Sequence, residues 1–186
     1  MQTKKNETKF IQLYNSYVDE IYQFAYPRTG FNIQQAEDLT QDIFLDVYKA
    51  LSGFKGLCSD RTWIFKIARN KLNDFYRKQY KSYLEYVDID SEEVEAIADL
   101  SQDIETEIVR GYDNQLIKDC LDKISNHYKL ILTLKYMDEL SVKEIADLLG
   151  KTNKAVDGML QRAKQAYINQ YILLKQEDLE NEERPE

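Results

Sequence analysis

Between Ser141 and Tyr167 two helical registers are separated by one glycine, and that arrangement constrains the fold more than any other stretch of the chain. Ser141 is placed to cap a helix whose inner face is Val142, Ile145, Ala146 and Leu149. Gly150 breaks that helix, and a second is expected from about Asn153. On the second, Val156, Leu160, Ala163 and Tyr167 fall on one side of the wheel. Lys154, Gly158, Gln161 and Gln165 point the opposite way, with Asp157 and Arg162 flanking. The turn is short, and Ala146 is small where crossing helices would touch. The pattern is that of a helix-turn-helix, whose second helix enters the major groove of DNA. Gly158, in the middle of the exposed face, costs about 1 kcal/mol against Ala; close backbone approach to DNA would compensate. Two amphipathic helices of an ordinary bundle are the plain alternative.

The rest of the chain reads as helical too. With two prolines and six glycines in 186 residues, long helices joined by short breaks are expected, in one domain or two small ones. Phe10, Leu13, Tyr14, Tyr17 and Ile21 recur at helical spacing, as do Leu39, Ile43, Val47 and Leu51. Pro27 and Gly30 punctuate the gap between these runs, and Ser52-Gly53 closes the second. Residues 53–60 (GFKGLCSD) form a loop, with Asp60 as N-cap of a helix from Arg61 to about Tyr80. The fold class is therefore all-α: two small helical domains, 1–84 and 111–175, joined by an acidic linker at 85–110 and followed by an acidic, disordered tail at 176–186.

Charge supports that division. The net charge of −8 suits a nucleic-acid binder only once it is divided along the chain. Residues 1–84 carry 13 Lys/Arg against 9 Asp/Glu, and residues 111–175 carry 10 against 8. The linker carries 1 against 10 and the tail 1 against 6. Two mildly basic blocks are thus separated and followed by acid, and segregation is what partners sense.

Several function classes are disfavoured. No apolar stretch approaches the roughly 18 residues of a membrane span, and no signal peptide is evident. Cys58 and Cys120 are too few and too distant for a disulfide framework or structural zinc, so a reducing, cytoplasmic setting fits. An enzyme is the weakest reading. His127 is the single histidine, it has no carboxylate partner at ligand spacing, and no glycine-rich phosphate loop is present. No catalytic residue, metal or cofactor is expected.

Two helix faces carry further signal. On a wheel of residues 63–78, Ile64, Ile67, Ala68, Leu72 and Phe75 form the inner arc, while Lys66, Arg69, Asn70, Asn73 and Arg77 form the outer one. Between Lys55 and Lys81 there are 8 basic residues and 2 acidic ones, and Trp63 falls on the polar side. A basic, amide-bearing stripe with an aromatic at one end suits backbone tracking and base stacking on single-stranded DNA, although such stripes are often only solvated. Asp38, Gln41, Asp42 and Asp46 form an acidic side of the helix containing Leu39, Ile43 and Val47. That face serves either solubility or docking on a basic or amide-rich helix.

Three motifs carry a family resemblance. AEDLTQDIF (36–44) resembles region two of the sigma-70 family of RNA polymerase sigma factors, TWIFKIARNKL (62–72) its adjoining DNA-melting segment, and ELSVKEIADLLG with KAVDGMLQRAK region four. Two regions in this order with a short linker resemble the extracytoplasmic-function group. The resemblance implies a factor that binds core RNA polymerase, through the β′ clamp helices and β flap, and directs promoter-specific initiation; a cognate anti-sigma factor is implied as well. It assigns Asp38, Gln41, Asp42 and Tyr48 to the polymerase. It assigns Lys55, Arg61, Trp63, Lys66, Arg69, Asn70, Asn73 and Arg77 to minus-ten DNA, with the 53–60 loop receiving a flipped base. It assigns Lys151, Thr152, Asn153, Lys154, Asp157, Gly158, Gln161, Arg162 and Gln165 to minus-thirty-five DNA. The linker would thread into the polymerase channel as a polyanion mimic. The chain departs from the family where Ser125 and Tyr128-Lys129 replace a usual Pro and Arg, and where Asp157-Gly158-Met159 interrupts a usual basic pattern in the recognition helix. The usual Arg contact therefore does not transfer, whereas Arg162 and Lys164 keep the following basic pair. A conventional helix-turn-helix regulator, with the first domain for dimerisation or sensing, is the competing function; it has no need of the 36–44 motif.

Overall fold

A computed structural model describes residues 2–86 and 114–182, with side chains over 6–83 and 115–176. Every regular element among the described residues is helical. From residue 87 the acidic linker lies outside the described residues, as do the last four residues of the tail. The chain divides into two compact units, Met1–Gln79 and Tyr80–Glu186. No described helix is long and apolar enough to cross a membrane.

The first unit is built on α1 (Gln2–Arg28), α2 (Ile33–Ala50) and α3 (Asp60–Tyr86), with a 3-10 turn at Leu51–Gly53. Pro27 lies inside the last turn of α1 rather than beyond it. The chain then reverses through Gly30 and Phe31, both at positive φ, where the Phe31 amide bonds the Tyr26 carbonyl at 3.0 Å. Asn32 opens α2, its side chain accepting the Gln35 amide at 2.9 Å. Leu13, Ile21 and Ala25 of α1 and Ala36, Leu39, Ile43 and Val47 of α2 are buried. The heptad-like spacing of these residues is what makes two antiparallel-capable stripes from one short stretch of sequence.

Two expectations for α3 shift. Its N-cap is Ser59, not Asp60: the Ser59 hydroxyl accepts the Thr62 amide at 3.1 Å, and the Ser59 carbonyl accepts the Trp63 amide at 3.0 Å. Asp60 is instead drawn aside by Lys9, at 2.5 Å from its carboxylate. The buried row is Ile64, Ala68, Leu72 and Tyr76, an i, i+4 series, while Ile67 and Phe75 are only half-buried. A wheel centred by hydropathy alone rotates the face toward Phe75; Tyr76, wholly buried, takes the place because its ring packs inward.

The second unit contains α4 (Asn114–Lys123), α5 (Asn126–Leu132) continued by a π turn at Thr133–Met137, α6 (Val142–Leu149) and α7 (Asn153–Glu182). Ser141 caps α6 in a reciprocal box with Glu144: its hydroxyl accepts the Glu144 amide at 3.2 Å, and the Glu144 carboxylate accepts the Ser141 amide at 2.8 Å. The Ser141 hydroxyl, which donates to the Glu144 carboxylate at 2.7 Å, and then the Ser141 amide hold that carboxyl below its ordinary range. Gly150 ends α6 at φ 66°, ψ 37°, a left-handed cap natural to glycine. Thr152 then caps α7, its hydroxyl accepting the Ala155 amide at 3.2 Å. Ile145, Ala146, Val156, Leu160, Ala163 and Tyr167 are buried as the two sequence registers require, whereas Val142 and Leu149, at the two ends of α6, are only half-buried; Cys120, Ile131 and Leu134 join the core. Helix α7 runs eight residues past Leu174, to Glu182, through residues expected to be disordered. Gln, Glu and Leu are good helix formers and no Pro or Gly interrupts them before Pro185, so local propensity favours continuing the helix.

Candidate nucleic-acid and partner interfaces

On α2, Asp38, Gln41, Asp42 and Tyr48 are all exposed. Leu45, 55% exposed, lies among them at i+4 from Gln41 and was missed by a reading that looked only for polar residues. On α1, Ile11 and Tyr14 are also exposed. Phe10 meets Tyr48 edge-on at 5.1 Å and Tyr14 meets Phe44 at 4.9 Å, so aromatic packing fixes the Tyr48 end of the face. The result is an apolar centre bordered by carboxylates and an amide, a composition suited to a helical protein partner.

The acidic side is not uniform. Lys71 of α3 reaches Asp46 at 2.6 Å and Asp42 at 3.9 Å. Lys71 holds the Asp46 carboxyl below its ordinary range, and Asp46 in turn holds the lysine up. Asp46 is thereby occupied within the unit, while Asp38 accepts from the neutral Gln34 amide at 3.1 Å.

The expected minus-ten residues divide into three settings. Lys55 stands exposed in the loop, where Gly56 at φ 69° makes the turn. Trp63 is half-buried and stacks on Phe54 of that loop, ring centroids 4.4 Å apart and planes 21° from parallel. Its position joins the loop to α3, which a wheel cannot reveal. Lys66, Arg69 and Asn70 are exposed and come together with Arg61 in one cleft, whose other wall is Phe24 and Arg28 of α1. Arg61 is held by Glu20 of α1, Nε to Oε1 at 2.7 Å with a second short contact from Nη2, which raises its pKa. Asn73 is half-buried, and Arg77 is exposed with Asp74 at 3.0 Å. Glu20 was missed because its partner Arg61 lies forty-one residues on, and Arg28 because its stacking on Phe24 of the same helix leaves only an i, i+4 spacing as a signal.

In the second unit Thr152, Asn153, Lys154, Asp157 and Gln161 are exposed, while Lys151, Gly158, Arg162 and Gln165 are half-buried. Thr152 spends its hydroxyl as a cap, and Gln165 donates to Asn169 at 2.9 Å. A Cβ on Gly158 would meet nothing nearer than Arg162 Nη1 at 3.9 Å, so internal packing does not demand glycine there. Arg162 also lowers the pKa of His127, second to the effect of burial.

Residues 13–82 match the family described as Sigma-70 region 2, and residues 114–166 match Sigma-70, region 4. Among curated relatives, the ECF RNA polymerase sigma factor SigW of Bacillus subtilis is 30% identical over 172 residues, 89% of this chain and 90% of that protein. The RNA polymerase sigma factor YlaC of the same organism is 29% identical, over 86% of this chain and 90% of its own length. SigX, another ECF RNA polymerase sigma factor of that organism, is 27% identical over 97% and 92%.

Proposed function

The chain belongs to the sigma-70 family, in the group of ECF RNA polymerase sigma factors, and from that premise we propose how its surfaces divide the work of an alternative sigma factor. The face of Asp38, Gln41, Asp42, Leu45 and Tyr48 docks core RNA polymerase. The outer side of α3, with the loop before it, holds the opened non-template strand of the minus-ten element. The exposed side of α7 reads the closed minus-thirty-five duplex.

The observation that carries this division is the contrast between the two basic helices. On α3 the cations Arg61, Lys66 and Arg69 share a cleft with Phe24 and Phe65 in its walls, and Trp63 of the same helix stacks on Phe54 of the loop. Cations interleaved with rings suit unstacked single strands, whose bases need a π-face. On α7 the exposed groups Asn153, Lys154, Asp157 and Gln161 are polar or charged with no ring among them, at the start of a helix that follows a tight turn, suited to base edges and phosphates in a major groove. A factor that must bind duplex and then hold melted DNA needs both; a conventional repressor needs only the second. The family is one of initiation factors rather than catalysts.

Run-off transcription with purified core polymerase on genomic fragments tests the reading. The full chain directs discrete transcripts that core alone does not make. Footprinting shows protection upstream by α7 and permanganate-reactive thymines downstream. A chain that protects duplex DNA but never forms a complex with core is a conventional regulator instead.

A further inference from the structure

Asp157 is an exposed acid on the outer face of α7, in a row with Asn153 and Gln161 at i, i+4 spacing. No contact among the described residues accounts for it. Thr152 already caps the helix, its hydroxyl accepting the Ala155 amide, and Asp157 lies past the first turn, where an acid would favour the helix start. Among the described residues it has no ion pair and no side-chain hydrogen bond, and Lys154 on the preceding turn does not close onto it. On a surface that faces a polyanion, a free carboxylate weakens the attraction for phosphates. A hydrogen-bond donor on the duplex is what would offset that loss.

The major groove makes such a donor specific. Guanine and thymine present acceptors there, and adenine presents an acceptor beside its amino group. Cytosine presents an amino donor with no acceptor of its own. A carboxylate accepts and does not donate, so it is drawn to cytosine N4 and repelled by guanine O6 and N7 and by thymine O4. The reach fits as well. Aspartate is short, and it meets a base edge only where the helix backbone comes close to the groove. The next residue is Gly158, where an added Cβ would meet nothing nearer than Arg162 Nη1 at 3.9 Å, so packing within the unit leaves that space free. A short acid without an internal partner and a glycine that packing does not demand thus stand side by side on the exposed face.

We propose that Asp157 is the specificity-determining residue for one base pair of the minus-thirty-five duplex, accepting from the N4 amino group of a cytosine while Gly158 lets the backbone approach. The proposal rests on the assignment of α7 to that duplex and names a base which the assignment leaves open. Residues four apart on a helix are separated by about 6 Å along its axis, a little under two base steps of about 3.4 Å, so Asn153 and Gln161 address other positions. Lys154, exposed beside the row, supplies attraction for the phosphates.

The experiment uses the full chain assembled with core polymerase on a promoter fragment recovered by run-off transcription. Each base pair of the upstream footprint is changed in turn to the other three, and binding is measured by competition against the unchanged fragment. The wild-type protein favours cytosine at one position by about five- to ten-fold, the low end for a base-edge contact. Asp157→Asn, of the same shape at an exposed position, moves that preference from cytosine to adenine, because an amide donates to N7 and accepts from N6. Asp157→Ala flattens the same position and leaves the others as in the wild type. A base profile that both variants leave unchanged overturns the proposal. So does an equal gain in affinity on every sequence, which makes the acid a repeller of phosphates and nothing more. Loss of core binding with the base profile intact also overturns it, by placing Asp157 against the polymerase. If the wild-type assembly opens the minus-ten segment yet shows no preference at any upstream position, the assignment of α7 fails and takes the proposal with it.

Discussion

Lys71 of α3 lies 2.6 Å from Asp46 and 3.9 Å from Asp42, so one lysine neutralises the lower half of the acidic side of α2 and leaves Asp38 and Gln41 open. Asp46, engaged within the unit, and Asp38, proposed to meet the polymerase, thus lie about two turns apart on one helix. Sequence places them in one row; only the third helix tells them apart.

That separation predicts opposite phenotypes. Asp46→Asn lowers stability by at most about 1 kcal/mol, since the pair is partly exposed, and leaves core binding unchanged. The Asp46 carboxyl is held below its ordinary value, so its contribution is present above about pH 3.9 and is lost as pH falls through the depressed folded value. Acid titration of the melting temperature reads this as a flatter acid limb in the variant. Asp38→Arg combined with Gln41→Ala does the reverse: circular dichroism and melting are unchanged, and core affinity falls about ten-fold, or ~1.4 kcal/mol. Wild-type affinity in that double variant would remove this face from the polymerase interface.

Gly158→Ala separates folding from DNA reading. Gly158 is helical and its missing Cβ has room, so alanine there raises stability by about 1 kcal/mol. If the glycine serves close approach of the backbone to DNA, the same methyl weakens the upstream footprint. Thermal melting and footprinting on one protein sample then move in opposite directions. A variant that is both more stable and equally competent upstream shows that the backbone keeps its distance from DNA.

His127 makes the second unit sensitive to mild acid. Burial first, and Arg162 second, push its pKa below the ordinary 6.5. The folded unit therefore binds fewer protons than the unfolded chain within the window below about pH 6.5. Stability is full above that pH and declines as pH falls toward the depressed folded value. His127→Gln abolishes the slope in that window, read from denaturant midpoints at a series of pH values; an identical slope in the variant would place its origin elsewhere.

What the sequence makes legible follows from the range of the interactions. The capping box of Ser141 and Glu144, the left-handed Gly150 and the buried series Val156, Leu160, Ala163 and Tyr167 depend on neighbours within a few residues, and periodicity reads them directly. The same holds for the inner residues of α2. Ser59 displaces Asp60 as the cap of α3 because Lys9, fifty-one residues away, engages the aspartate. Glu20 finds Arg61 across forty-one residues, and no local pattern announces it. A wheel assigns a residue to a side but not to a partner. It could therefore place Lys66 and Arg69 together yet could not supply Phe24 and Arg28, which turn a stripe into a cleft.

Trp63 is the residue whose role this limit most obscures, and its geometry allows a sharper test. The indole stacks on Phe54 at 4.4 Å and is half-buried, so it anchors the loop that precedes α3 while keeping part of its surface exposed. Aromatic pairs of this kind contribute ~0.5–1.5 kcal/mol beyond simple burial. Trp63→Ala therefore lowers the melting temperature of the protein and slows promoter opening, because the loop carrying Lys55 loses its support. The upstream footprint persists in that variant, since α7 belongs to the other unit. Trp63→Phe keeps a ring on Phe54 and restores the melting temperature. Permanganate reactivity of unpaired thymines then separates two ways in which the tryptophan serves opening. Normal opening with Trp63→Phe means that the ring acts by positioning the loop. Slow opening in a protein of wild-type stability means that the larger indole surface itself meets an unstacked base. Wild-type melting and wild-type opening in Trp63→Ala would deny it both tasks.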